Sequence, residues 1–128
     1  MQIDIQDVIR VTKGDKTIVI AKKHALYVRD IVIDFDFYYD TVESEAGLVD
    51  FSTPRYHWLK GFDLFPVMLP SFSEPVKTSR QYIDFAELKE GMTVLDLGAY
   101  SGLSAILFAD QVGETGRVIS IDAYYQNY

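Results

Sequence analysis

The 128-residue chain contains no cysteine. Disulfides and thiolate metal sites are therefore excluded, and a reducing compartment fits. Histidine is nearly absent: only His24 and His57 occur, far apart in the chain. They read as ordinary surface or hydrogen-bonded histidines, and no metal site is expected. No apolar run approaches the roughly 20 residues that a membrane helix needs. The opening MQIDIQDVIR lacks the basic-then-apolar order of a secretory signal. Basic residues are outnumbered, 12 Lys and Arg against 19 Asp and Glu, for a net charge of −7. Such a chain repels a phosphate backbone, so nucleic acid is a poor partner. These shortages together point to an acidic, cytoplasmic globular protein with no membrane partner.

What is present is apolar. Hydrophobic residues make up 48% and aromatics 14% of the chain, enough to pack a core rather than stay disordered. The length allows one modest domain, or a small domain plus part of another.

The first 75 residues read as a small mixed α/β lead-in. DVIRV and TIVIA flank Lys13-Gly14-Asp15-Lys16, which is hairpin chemistry. Between 24 and 43 two patterns compete. Tyr27, Val28, Ile31, Phe35, Tyr38 and Val42 recur at helical spacing, whereas Ile31, Ile33, Phe35, Phe37 and Tyr39 alternate as in a strand. The length of the pattern favours a helix. Leu48–Phe51 and Tyr56–Leu59 suggest short strands. Gly61, Pro66, Pro70 and Pro75 suggest an irregular connector over 61–75. Phe62, Phe65, Phe72, Tyr82 and Phe85 are expected in the core. Ser73 can cap a helix that has Glu74 and Pro75 in its first turn and runs through Phe85.

From residue 92 the pattern sharpens, and residues 76–128 are expected to hold that connecting helix and one βαβ unit. Met92–Leu97 is a mostly apolar strand of the kind buried on both faces. Gly98–Gly102 is a glycine-bearing turn, Leu103–Gln111 has helical spacing, and RVISI is a second strand ending in Asp122. Asp96-Leu97-Gly98-Ala99-Tyr100-Ser101-Gly102 carries the chemistry. Gly98 lets the backbone turn sharply and lets a ligand approach it. Gly102 leaves space beside the helix N-terminus. Asp96 puts a carboxylate at the carboxyl end of a strand, where open α/β sheets bind ligands. Asp122 lies across the crevice and can accept both hydrogen bonds of a ribose diol.

A dinucleotide site needs G-x-G-x-x-G to meet a pyrophosphate. The spacing here is G-x-x-x-G, with an acid that would repel phosphate, and no G-K-[ST] follows. S-adenosylmethionine has no phosphate, but it has a ribose, a sulfonium and a cationic amino group. The cofactor-contacting set is then Asp96, Gly98, Ala99, Tyr100, Ser101, Gly102 and Asp122. The competing structural reading leaves the glycines shaping a tight turn and Asp122 at the surface. No residue stands out as a general base, so no catalytic residue is assigned.

The segment VLDLGAYSGLSAILFADQVGETGRVISIDAYYQNY resembles the opening of the FkbM family of S-adenosylmethionine-dependent methyltransferases. The upstream FDFYYDTV, VDFSTPRYHWLKGF and FPVMLPSFSEPVKTSRQYIDF resemble lead-ins found in that family. The family often carries Glu-Pro after the second strand, where this chain has Asp122-Ala123. The resemblance implies O-methylation of a small molecule or sugar. Asp96, Gly98 and Gly102 would line the methionine end of the cofactor, and Asp122 the ribose.

The resemblance also implies an incomplete Rossmann-type class I sheet, because the chain ends at Tyr128. The first strand would then offer an unpaired edge, which recruits a strand from a second copy or from the lead-in or else leaves the chain only marginally stable. The alternative function is a noncatalytic, truncated or repurposed protein whose lead-in is a binding or assembly module.

Overall fold

A computed structural model describes residues 1–123. Residues 124–128, the end of the segment that resembles a methyltransferase, lie outside the described residues. The chain divides into two compact units, Met1–Pro75 and Val76–Tyr128. No helix among the described residues is long and apolar enough to cross a membrane.

The first unit is dominated by sheet. Strands β1 (Gln2–Ile5), β2 (Val8–Lys13), β3 (Lys16–Ala21) and β5 (Leu48–Phe51) form one sheet in the order β1-β2-β3-β5. β2 and β3 are the hairpin expected from sequence, with Lys13 opposite Lys16 across Gly14-Asp15. β5 joins β3 in parallel, from Thr17 opposite Leu48 to Ile20 opposite Phe51. A second, antiparallel sheet has the order β4-β6-β7, from β4 (Asp40–Thr41), β6 (Arg55–Leu59) and β7 (Phe62–Leu69). Thr41 ties the two sheets together, because its Oγ1 accepts the Asp50 N–H at 2.7 Å. The core between them holds Ile9, Ile18, Ile20, Ile31, Val49 and Leu69, each at most 1% exposed.

Three expectations need correction, the last of which reaches into the second unit. The single helix over 24–43 is broken into a 3-10 turn (Lys22–Tyr27), a short helix α1 (Val28–Ile33) and a second 3-10 turn (Phe35–Phe37). Ile31, Phe35 and Tyr38 of the helical pattern are buried and Ile33 and Phe37 of the alternating one are exposed, but Tyr27 of the first is exposed and Tyr39 of the second is buried, so neither spacing holds throughout. Asp34, at φ −102° and ψ 18°, leaves helical geometry and starts the second turn. The irregular connector over 61–75 is instead largely strand β7. Pro66 is tolerated because β7 is an edge strand and its pairing with β6 is interrupted by a bulge between His57 and Leu59. The aromatic cluster also divides. Phe62 and Phe72 are core, but Phe65, Tyr82 and Phe85 are 51%, 55% and 93% exposed.

The second unit holds α2 (Val76–Phe85), β8 (Thr93–Leu97), α3 (Leu103–Val112) and β9 (Arg117–Ile121). Helix α2 starts at Val76, so Glu74 and Pro75 precede it rather than fill its first turn. β8 and β9 pair in parallel, from Thr93 opposite Arg117 to Leu97 opposite Ile121, with α3 as the crossover. This is the βαβ unit expected from sequence. Leu103, Leu107 and Val112 of α3 and Ile83 of α2 are buried, and Arg80 reaches Asp110 at 4.0 Å.

The expectation that β8 is buried on both faces fails among the described residues. Leu95 and Leu97 are 57% and 71% exposed, and their register partners Ile119 and Ile121 are exposed as well. Successive strand residues face opposite ways, so Asp96 takes the covered side and its apolar neighbours the open one.

The turn from α3 into β9 depends on Gly116. A Cβ there would lie 2.4 Å from Val112 Cβ and Cγ2 and 2.6 Å from its carbonyl oxygen. Overpacking of this kind typically costs about 1–3 kcal/mol. Gly116→Ala is expected to destabilise the second unit by about 2 kcal/mol, read as faster hydrogen exchange of the buried α3 amides. Unchanged exchange would show that Val112 yields freely.

Candidate functional site

Both parallel strands deliver an acidic residue to the same end. Asp96 is the fourth residue of β8, opposite Ser120 of β9, and Asp122 follows the last residue of β9. The glycine turn runs between β8 and α3. Its first residue is stitched to β9, because Gly98 N–H donates to the Ile121 carbonyl at 2.7 Å and Ala99 N–H to the same oxygen at 3.3 Å. Gly102 N–H closes the turn on the Ala99 carbonyl at 2.7 Å.

The two glycines are required by conformation. Gly98 and Gly102 have φ of +77° and +78°, in the region that side chains rarely adopt. Yet a Cβ on either would meet nothing within 4 Å. Space therefore stands open beside the backbone at both positions, as a ligand approaching main-chain atoms needs. Tyr100 also has positive φ, at +42°, without being glycine. Such a residue is held by its surroundings, and such positions cluster at ligand sites. Here the Tyr100 N–H donates to Asp122 Oδ2 at 2.8 Å, which fixes the turn against the end of β9.

Asp96 is 8% exposed and accepts a hydrogen bond from the Ser104 hydroxyl at 2.9 Å. Ser104 lies in the first turn of α3 and was not singled out from sequence. The signal for it was weak: a polar residue on the inward side of an otherwise apolar helix. Its bond orients the Asp96 carboxylate. Ala99 and Ser101 are half-buried within the same turn.

All seven residues expected to contact a cofactor thus lie in one turn and on the two strand ends beside it. The arrangement offers two carboxylates, a stretch of backbone with room against it, and no compensating lysine or arginine within the motif. It suits a ligand with a cationic group and hydroxyl donors better than a phosphate.

The histidines lie elsewhere, in the first unit, and both are buried. His24 is 7% exposed, close to the rings of Tyr27 and Phe72, and its pKa is held below the ordinary value by burial and then by Lys23. His57 is fully buried, stacked on Phe51 at 4.9 Å between ring centres. No group of three or more metal-ligating side chains occurs among the described residues.

Comparison with curated proteins and with solved structures finds no match. Residues 68–127 match the family model described as protein-L-isoaspartate(D-aspartate) O-methyltransferase. That span contains β8, the glycine turn, α3 and β9. The match supports a methyltransferase that uses S-adenosylmethionine, by resemblance, and not the FkbM family in particular.

Proposed function

We propose that residues 76–128 bind S-adenosylmethionine and that the protein transfers its methyl group to an oxygen of an acceptor. The observation that carries this reading is the convergence of Asp96, the open glycine turn and Asp122 at the carboxyl ends of two parallel strands. When bound, the cofactor supplies an electrophilic methyl on a cationic sulfur. The chain supplies position. Asp122 is placed for the ribose hydroxyls, the backbone at Gly98 and Gly102 for close approach, and the Asp96 carboxylate for a cationic amino group. Holding reactants in attack geometry lowers a barrier without any covalent help from the protein. A hydroxyl acceptor must lose a proton, whereas a carboxylate arrives without one.

Two acceptor classes are therefore distinguished. The sequence resemblance favours a small hydroxylated molecule or sugar. The matched family model names a protein isoaspartyl carboxylate, and this second reading rests on that match. Methyl transfer from labelled cofactor to an isoaspartyl peptide, set against transfer to a panel of small hydroxylated acceptors, separates them.

Cofactor binding itself is tested by calorimetry with S-adenosylmethionine and S-adenosylhomocysteine. Saturable binding is expected. Asp96→Asn keeps an acceptor for Ser104 but removes the charge. Asp122→Asn keeps an acceptor for the Tyr100 N–H. Each should weaken binding about tenfold or more, the worth of one charge-assisted hydrogen bond. No binding at millimolar ligand, or unchanged affinity in both variants, would overturn the proposal.

A further inference from the structure

All four residues of β1, Gln2–Ile5, are exposed, and β1 stands at one end of its sheet. Among the described residues no strand pairs with its outer side. Folded chains usually blunt such an edge with proline, lysine or a bulge. β1 has none of these. Its sequence is QIDI, and its register against β2 runs unbroken from Gln2 opposite Thr12 to Ile5 opposite Ile9.

The outward backbone groups of this edge belong to Ile3 and Ile5. In an antiparallel pair, successive residues turn their N–H and C=O to opposite sides. Gln6 N–H donates to the Val8 carbonyl at 3.0 Å, toward β2. By alternation Asp4 and Gln2 also turn toward β2, and Ile3 and Ile5 turn away from it. The β2–β3 hairpin agrees. Its two-residue loop closes on Lys13 opposite Lys16, and such a closing pair exchanges its backbone bonds. Lys13, Val11 and Ile9 therefore turn toward β3, which leaves Thr12, Arg10 and Val8 for β1.

The side chains add a second constraint. Residues directly opposite share a face, so Ile3 and Ile5 lie on the side of Val11 and Ile9, which are fully buried. Ile3 and Ile5 are themselves 48% and 65% exposed. The apolar face of the sheet thus runs on past the part that the chain covers. Gln2 and Asp4 take the other, polar face, opposite Thr12 and Arg10.

A second β1 offers the same outward groups and the same alternation. An antiparallel pair about a twofold axis therefore satisfies both copies at once. Two positions of the axis keep the apolar faces together. With the axis at Asp4, that residue meets the partner's Asp4, and like charges directly opposite are destabilising. With the axis at Ile3, the Gln2 amide meets the carboxylate of the partner's Asp4, and Ile3 exchanges both backbone bonds with the partner's Ile3. Asp4 already accepts the Gln6 side-chain amide at 3.3 Å, and a carboxylate has room for several donors.

We propose that the protein dimerises through β1, antiparallel and with the axis at Ile3, joining the four-stranded sheets of two copies edge to edge. The contact lies wholly within residues 1–75 and stands independently of the methyl-transfer reading. A pairing of strands this short buries little surface, so the dimer is weak and dissociates on dilution.

Sedimentation velocity on the full chain, from about 5 to about 500 μM, reads the oligomeric state. A monomer at the low end and a dimer at the high end are expected. Ile3→Lys puts like charges at the axis and should weaken association about tenfold or more. Gln2→Lys sets an opposite charge against the partner's Asp4 and should strengthen association about fivefold. Thermal unfolding of dilute Ile3→Lys should match the parent, which keeps loss of the dimer distinct from misfolding. The chain has no cysteine, so single cysteines map the register. Opposed Cα atoms of a hydrogen-bonded pair stand about 5.5 Å apart, within disulfide reach. Ile3→Cys should cross-link the dimer on oxidation. Ile5→Cys should not, since its twin then lies about 13 Å along the strand. A chain still monomeric at about 500 μM would overturn the proposal. A dimer that Ile3→Lys leaves intact, or faster cross-linking of Asp4→Cys or Ile5→Cys than of Ile3→Cys, would do the same.

Discussion

Gly47→Ala is expected to destabilise the first unit by about 3 kcal/mol. Two costs add. Gly47 has φ +80°, where an L side chain typically costs about 1–2 kcal/mol. Its Cβ would also lie 2.4 Å from the Asp15 carbonyl oxygen, with Asp15 C at 3.3 Å and Lys16 Cα at 3.5 Å. Those atoms are backbone, so no rotamer can relieve the contact. The residue stands just before β5, and its own carbonyl accepts the Thr17 N–H at 2.9 Å. Moving it pulls β5 off β3. Gly14 is the matched control, with φ +63° and nothing within 4 Å of a Cβ. Gly14→Ala should cost only the conformational part, about 1 kcal/mol. Urea unfolding followed by Trp58 reads the first unit alone. Equal midpoints for the two variants would show that the Asp15 contact does not matter.

Acidification is expected to weaken the same unit through His57. Its imidazole is fully buried and its pKa is lowered from 6.5 to about 4, first by burial. The Asp50 carboxylate opposes that lowering and Arg55 adds to it. Asp50 is itself bound to Arg55 Nε at 3.3 Å and to the Ser52 hydroxyl at 2.6 Å. Nδ1 of His57 lies 3.3 Å from Thr41 Oγ1, and Nε2 has no hydrogen-bond partner among the described residues.

Between pH 4 and 6.5 the unfolded chain therefore binds a proton that the folded chain refuses. Stability is full above pH 6.5, falls as pH drops through the window, and stops falling on this account below about 4. Each tenfold loss of proton affinity is worth about 1.4 kcal/mol, so the whole window removes about 3 kcal/mol. In His57→Phe the slope from other groups remains and this part vanishes. The parent's stability relative to the variant should therefore shrink by about 3 kcal/mol between about pH 7 and pH 4. Parallel pH profiles would show that His57 titrates normally.

The legible parts of the fold were those where one local rule acted alone. Lys13-Gly14-Asp15-Lys16 allowed little but a tight hairpin, and the structure has one. The apolar run, glycine turn, helix and second apolar run ending in Asp122 described the βαβ unit almost residue by residue. Where rules competed, the sequence could not arbitrate. Pro66 reads as a breaker until one sees that its strand is an edge with an interrupted ladder. Leu95 and Leu97 read as buried because burial is the usual fate of such residues. Their exposure depends on which face α3 covers, and no spacing encodes that.

At the site, the sequence placed the glycines and both acids in one turn and two strand ends. The hydroxyl of Ser104 and the carbonyl of Ile121 were not visible, because both act through tertiary contacts.

The parallel pairing of β5 with β3 also sets how fast the first unit can form. The hairpins β2–β3 and β6–β7 need only short loops to close. β5 must reach back past the 3-10 turns, α1 and β4 before Leu48 can lie opposite Thr17. Loop-closure entropy must be overcome before such a contact returns anything, so non-local pairing slows folding. During that interval the β3 edge, with Ile18 and Ile20 still uncovered, is open to any strand nearby, including one from another newly made chain. The four residues of β5 thus act as the closing step of a slow reaction, and the yield of folded protein depends on how quickly they arrive.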